Sequence, residues 1–166
     1  MVDSCIQLPG RQPHQGGLII ATIHHQVGIK ASLHDVYEAI ATTEGVAGWW
    51  TKTRGNPETG GELEFLFGGH SVYATVTGNT PDKYVEWTVG GDAGEWLDTR
   101  ICFALEQLQD QVMVNFQHTE WKAETPFLAH CSTKWGVFML SLKDYLETGT
   151  GKPFPLDIHI NHTNFN

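Results

Sequence analysis

Apolar and polar residues alternate with a period of two through most of the chain, and that period changes to a helical one at two places. The first alternating stretch, LIIATIHHQVGIK (18–30), sets Ile23, His25, Val27 and Ile29 against His24, Gln26, Gly28 and Lys30 and predicts a strand. In ASLHDVYEAIATTEGVAGWW, Ser32 is placed as an N-cap with Asp35 three residues on. Val36, Tyr37 and Ile40 then fall at helical spacing, and Thr43 can cap a second short helix carrying Val46 and Trp49. Strand signals resume. GELEFLF (61–67) puts Leu63, Phe65 and Phe67 on one face, and Gly68-Gly69-His70 reads as a hairpin loop into SVYATVTG (71–78). A turn at Pro81-Asp82-Lys83 leads into YVEWTVG (84–90), where Val85, Trp87 and Val89 share a face; GGDAGEW (90–96) is a loop. TRICFALEQL (99–108) and QVMVNFQHTEW (111–121) alternate again, with Ile101, Phe103 and Leu105 in phase in the first and Val112, Val114, Phe116 and His118 in the second. Consecutive strands with short connections pair antiparallel.

The last third returns to the helical period. Thr125-Pro126 reads as N-cap and N1, Gly149 as the residue that ends the helix, and about 23 residues between them make roughly 34 Å of helix. Cys131, Trp135, Phe138, Leu142 and Tyr145 recur at four- and three-residue steps, and Met139 and Leu146 widen the stripe. An antiparallel sheet must hide its apolar face, and this helix is the one large apolar partner the sequence offers. The predicted architecture is therefore α+β: a curved, six-stranded antiparallel sheet around a long C-terminal helix, with two short helices after the first strand. Residues 1–17 read as a loose tail, 18–149 as one domain and 150–166 as a C-terminal surface tail.

That order of elements, with the residues that punctuate it, is similar to a known family. The carrying residues are AS-x-x-x-VYEAI (31–40) with Trp49-Trp50, V-x-G-x-x-P-x-x-YVEW (76–87), the alternating pair 99–105 and 112–118, Lys134-Trp135, Leu142-Lys143, and Tyr145-Leu146-Glu147-x-Gly149. Together they resemble the activator of heat-shock-protein ATPase homologue-like group of the START-like (SRPBCC) helix-grip superfamily, over about residues 20–150. The resemblance implies a space between sheet and helix that commonly holds an apolar ligand in such proteins. It also brings in a cochaperone branch that stimulates a chaperone ATPase by surface contact, and enzymes of the cyclase or hydrolase kind.

Composition narrows the partners. The chain has 166 residues with six Trp, eight Phe and four Tyr, enough for a sizeable core. Ten basic against nineteen acidic residues give a formal charge of −9, which disfavours nucleic acid and an anionic membrane surface. No stretch approaches a membrane span, and the first residues lack the apolar run of a signal peptide, so the expected location is cytoplasmic. Cys5, Cys102 and Cys131, odd in number and widely spaced, read as reduced thiols.

The ligand-binding candidates are Trp49, at the mouth, and Phe65, Phe67, Trp87, Phe103, Phe116, Trp135, Phe138, Met139 and Leu142 between sheet and helix. A core packed at ordinary density accounts for the same residues, and for each one alone packing is the favoured reading. His118 points into the same interior. It is a candidate to bond a ligand or act as an acid–base group, though a core histidine satisfied by a neighbour such as Thr99 is favoured. His25 makes the same claim more weakly. No catalytic residue, metal site or cofactor is expected. His159-x-x-His162 lacks matching ligands, HTEW is not a zincin motif, no G-x-S-x-G elbow occurs, and Gly149-Thr150-Gly151-Lys152 follows a helix where a phosphate loop would precede one.

The sequence thus points first to a binding or carrier protein for an apolar or aromatic small molecule, such as a lipid, polyketide or isoprenoid fragment. A cochaperone-like interaction module and a pocket enzyme stand as alternatives. Trp50, Trp96 and Trp121, placed near surfaces, leave room for a weak homodimer.

Overall fold

The computed structural model describes residues 20–162. The expected N-terminal tail, the first two residues of the expected first strand and the last four of the C-terminal tail lie outside the described residues. The elements run β1 (Ala21–Ile29), α1 (Leu33–Ala41), α2 (Thr43–Trp49), β2 (Thr53–Gly55), β3 (Glu62–Phe67), β4 (His70–Thr80), β5 (Tyr84–Gly90), a short 3₁₀ turn (Gly94–Trp96), β6 (Arg100–Gln107), β7 (Val112–Trp121) and α3 (Pro126–Thr148). The sheet has seven strands, not six, in the order β1-β7-β6-β5-β4-β3-β2, and every neighbouring pair is antiparallel. The additional strand is β2. Its three residues are too few to carry a period, and it is defined by its register on β3, Thr53 opposite Phe65 and Gly55 opposite Leu63.

The helix ends follow local chemistry. The Ser32 hydroxyl accepts from the Asp35 N–H and starts α1. Thr42, rather than the expected Thr43, caps α2 by accepting from Gly45 N. Thr125 accepts from Leu128 N, Pro126 takes the first turn of α3, and Gly149 closes it in the left-handed region at φ 83°. The helix lies across the concave face and against β1, while α1 and α2 pack on its C-terminal half. Gly48 permits that approach, since a Cβ there would stand 2.4 Å from the Tyr145 ring.

Alternation holds along most strands: Leu63 and Phe65, Val85, Trp87 and Val89, Ile101 and Phe103, and Val112, Val114, Phe116 and His118 are all buried. It breaks at the end of β7. Ile23 faces His118 but Ala21 faces Trp121, so β7 carries an extra residue there, and Glu120 adopts φ 68°. This bulge turns Trp121 into the core where strict alternation would have placed Glu120; Glu120 instead pairs with Arg100 at 2.8 Å.

The left-handed Gly149 has no neighbour near its missing Cβ, so only backbone preference opposes a side chain. Gly149→Ala is expected to lower unfolding free energy by about 1 kcal/mol, read from the urea midpoint, with the far-ultraviolet spectrum of the folded state unchanged.

Candidate functional site

The helix α3 is flush with the sheet only along part of its length. Beside its first four turns a cleft of about 420 Å³ remains. Its helix wall is Phe127, His130, Cys131, Lys134, Trp135 and Phe138, which share one face at three- and four-residue steps. The opposite wall is Phe67, His70 and Val72 from the β3–β4 hairpin, with Trp50 beyond the end of α2 and Ala93 and Trp96 from the loop before β6. The segment after α3 supplies the remaining side through Phe154, Pro155, Asp157 and His159.

Sequence predicts residues 150–166 as a surface tail, yet the described part is tied across the cleft. Phe154 N–H donates to the Trp50 carbonyl at 2.7 Å, Lys152 N–H to Ser141 Oγ at 2.8 Å, and the Phe154 ring meets Phe67 edge-on at 5.4 Å. Lys134 Nζ donates to the Asp157 carboxylate and, at 2.9 Å, to the Ile158 carbonyl. The His162 ring lies 4.2 Å from that of His130. Burial, followed by the nearby His162, Lys134 and His159, holds His130 below the ordinary histidine range.

Behind the cleft wall a buried polar chain fixes two tryptophans. Trp135 Nε1–H donates to His118 Nδ1 at 3.0 Å, which leaves the His118 proton on Nε2 to reach Thr99 Oγ1 at 2.8 Å. The Thr99 hydroxyl donates onward to the Trp96 carbonyl at 2.6 Å. The Trp96 ring stands on His118 at 4.9 Å and stacks on Trp135 at 6.1 Å, and its Nε1–H donates to Cys131 Sγ at 3.4 Å. Burial pushes His118 down to about 3, so the imidazole is neutral at ordinary pH, with both nitrogens engaged. Burial also pushes the Cys131 thiol up to about 12, so the sulfur in the wall is an un-ionised thiol.

Of the residues singled out from sequence, Phe67, Trp135 and Phe138 line the cleft. Trp49, Phe65, Trp87, Phe103, Phe116, Met139 and Leu142 are buried away from it; Trp87 and Phe103 meet edge-on at 5.1 Å, and Phe116 packs tilted on Trp135 at 4.5 Å. His118 is likewise in the core, one hydrogen bond behind the wall. His25 reaches the Ser132 carbonyl at 2.9 Å rather than the cleft. Trp50 and Trp121, expected near surfaces, are each 1% exposed, because Trp50 turns inward where α2 ends and the β7 bulge reverses Trp121. Cys102 is disulfide-bonded, which corrects the expectation of a reduced thiol there; Cys131 is free. Trp50, Trp96, Phe127, Lys134, Phe154 and Asp157 were not anticipated as site residues. The signal available for Phe127 and Lys134 was their place on the stripe of α3; Phe154 and Asp157 gave none. Among the described residues no group of three or more His, Cys, Asp and Glu could hold a metal, and no helix is long and apolar enough to cross a membrane.

The neutral His118 makes stability pH-dependent. Below 6.5 the unfolded chain binds a proton there that the folded chain refuses until about pH 3. The contribution is complete above pH 6.5 and is lost as pH falls through this window, at about 1.4 kcal/mol per unit. His118→Gln, whose amide can accept from Trp135 and donate to Thr99, is expected to flatten that slope in urea titrations between pH 4 and pH 6.5. His118→Leu leaves the Trp135 N–H unpaired and is expected to cost about 1–3 kcal/mol at neutral pH, with a shift in tryptophan emission.

Comparison with known proteins agrees with this architecture. Residues 30–147 match the family described as Activator of Hsp90 ATPase homolog 1-like protein. Among solved structures, the Aha1 dimer from Colwellia psychrerythraea is 41% identical, superposes with a TM-score of 0.72, and is covered over 99% of its chain by 79% of this one. DynU16, from the dynemicin biosynthetic locus, is 20% identical with a TM-score of 0.69, over 78% of this chain and 48% of that one. CalU16 from Micromonospora echinospora is 16% identical with a TM-score of 0.64, over 76% of this chain and 74% of that one. The likeness to these last two is one of fold alone. No curated protein matches the chain. The extent of the family match and the 41% identity, with the helix-grip architecture described above, place the chain in the Activator of Hsp90 ATPase homolog 1-like family.

Proposed function

We propose that the protein binds a small apolar or aromatic molecule in the cleft beside the first turns of α3. The observation that carries this reading is the cleft itself, about 420 Å³ and walled largely by aromatic rings. Phe67, Trp135 and Phe138 would contact the ligand together with Trp50, Trp96, Phe127 and Phe154, offering broad, stiff surfaces with little side-chain entropy to lose. Two groups, one in the wall and one behind it, speak for binding or carriage over turnover. The Cys131 thiol is un-ionised, and His118 has both nitrogens committed to Thr99 and Trp135. The homologue described as a dimer supports a second expectation, that this chain also self-associates. Since Trp50 and Trp121 are internal, such an interface would have to use other residues.

Ala93 lines the cleft from the loop before β6 and is half-buried, so a larger side chain there is expected to take up space in it. Ala93→Trp is expected to abolish binding of phenylnaphthylamine, a neutral aromatic fluorophore, while leaving the melting temperature within about 2 °C of the parent. Fluorescence titration reads the first and calorimetry the second. A parent protein that ignores the fluorophore, or a plugged variant that binds it equally well, removes the assignment of this cleft.

A further inference from the structure

Resting on that reading of the cleft, we propose that its ligand carries an acidic group on an aromatic body, with Lys134 as the anchor for the acid, and that Asp157 and Phe154 of the chain's own C-terminal segment occupy the positions the ligand would take. The argument begins with what that segment buries. Leu156 and Ile158 are 72% and 60% exposed, whereas the Asp157 side chain between them is only 6% exposed. Burial by hydrophobicity alone would do the reverse. The cleft therefore draws a carboxylate inward at the expense of two aliphatic side chains, and the reason is Lys134, the one Lys or Arg among the residues that line it. Its ammonium donates to Asp157 and to the Ile158 carbonyl and lies 5.9 Å from the centre of the Phe138 ring, a cation set against an aromatic wall. Three residues before Asp157, Phe154 puts its ring edge-on to Phe67. An aromatic ring and a carboxylate held at fixed separation are the features of an aromatic acid, presented here by the chain itself.

Such a ligand would exchange one carboxylate for another on Lys134 and one ring for another on Phe67. Residues 154–157 would have to move aside for it, while the Lys152–Ser141 bond, close to the end of α3, can keep the start of the segment in place. Nonspecific attraction of anions cannot substitute for this contact, since the chain as a whole carries a formal charge of −9.

Two fluorophores with the same ring system separate the acid contact from the aromatic one: anilinonaphthalene sulfonate, which is anionic, and phenylnaphthylamine, which is neutral. Asp157→Asn removes the competing carboxylate and is expected to tighten the sulfonate by about tenfold or more, with the neutral probe changed by less than about twofold. Lys134→Met is expected to weaken the sulfonate by a similar factor and to keep the neutral probe; Lys134→Gln serves if the Met variant fails to fold, judged by circular dichroism. Added salt should weaken the sulfonate alone in the Asp157→Asn protein. Equal sulfonate affinity in parent and Lys134 variants, or no gain in Asp157→Asn, would overturn the anchor while leaving the cleft's neutral-probe binding intact. Failure of both probes to bind the parent would instead remove the cleft reading and this inference with it.

Discussion

Trp135 must bury a large indole and satisfy its N–H at the same place, and much of the structure is arranged around meeting both demands. The ring is 2% exposed and packs on Phe116, Trp50 and Trp96, so α3 is seated on the sheet chiefly through this residue. The N–H has to find an acceptor inside an apolar core, where an unmet donor costs about 1–3 kcal/mol. His118 supplies it from β7. Because His118 then needs an acceptor for its own proton, Thr99 is required in turn, and Thr99 passes its hydroxyl proton to the carbonyl of Trp96. One obligatory hydrogen bond on the helix thus fixes a strand residue, a loop residue and the start of the loop wall of the cleft.

The same constraint explains where space is left. Met139 and Leu142 are buried farther along the helix, and on the sheet side Phe103 meets Trp49 and Trp87 edge-on. Toward the start of α3 the facing surface is no longer a central strand but the β3–β4 hairpin and the loop before β6. Trp96, whose carbonyl is held by the polar chain, lines the gap rather than filling it. The cleft is the volume between a helix seated by Trp135, the β3–β4 hairpin and the loop before β6, closed on its remaining side by the segment after Gly149.

How much of this could be read from the residues divides along physical lines. Caps and periodicity are local, and Ser32, Thr125, Pro126 and Gly149 act as their chemistry dictates, as do the inward-facing residues of β5 and β6. The pairing of His118 with Thr99 is also legible, because the alternation runs back through Thr99, just before β6, in the same inward phase as Ile101, which faces His118. Events that depend on one extra residue were not. The bulge at the end of β7 reverses the phase of Trp121, and nothing in QHTEW announces it. The candidate site was legible only where it coincides with the stripe of α3, in Trp135 and Phe138, and on one hairpin position, Phe67. The other ring residues face inward, and facing inward does not distinguish a filled interior from a lined one. Phe154 and Asp157 lie beyond the last periodic element, where pattern carries no information and only tertiary contact assigns a place.

The C-terminal segment also bears on how far kinship can carry function. It follows the part of the chain that matches the family, which ends at residue 147, yet Phe154, Pro155, Asp157 and His159 form one side of the cleft. The fold therefore sets the position of the cavity, through the seat of α3 on β7, and residues on both sides of the end of the matched stretch, Lys134 before it and Asp157 after it, line its mouth. A buried carboxylate on Lys134 is not required for the sheet to grip the helix; the core does that with apolar contacts and the His118 chain. On the proposed reading of the cleft, an ion pair placed where a ligand's acid could replace one of its members would serve the selection of that ligand.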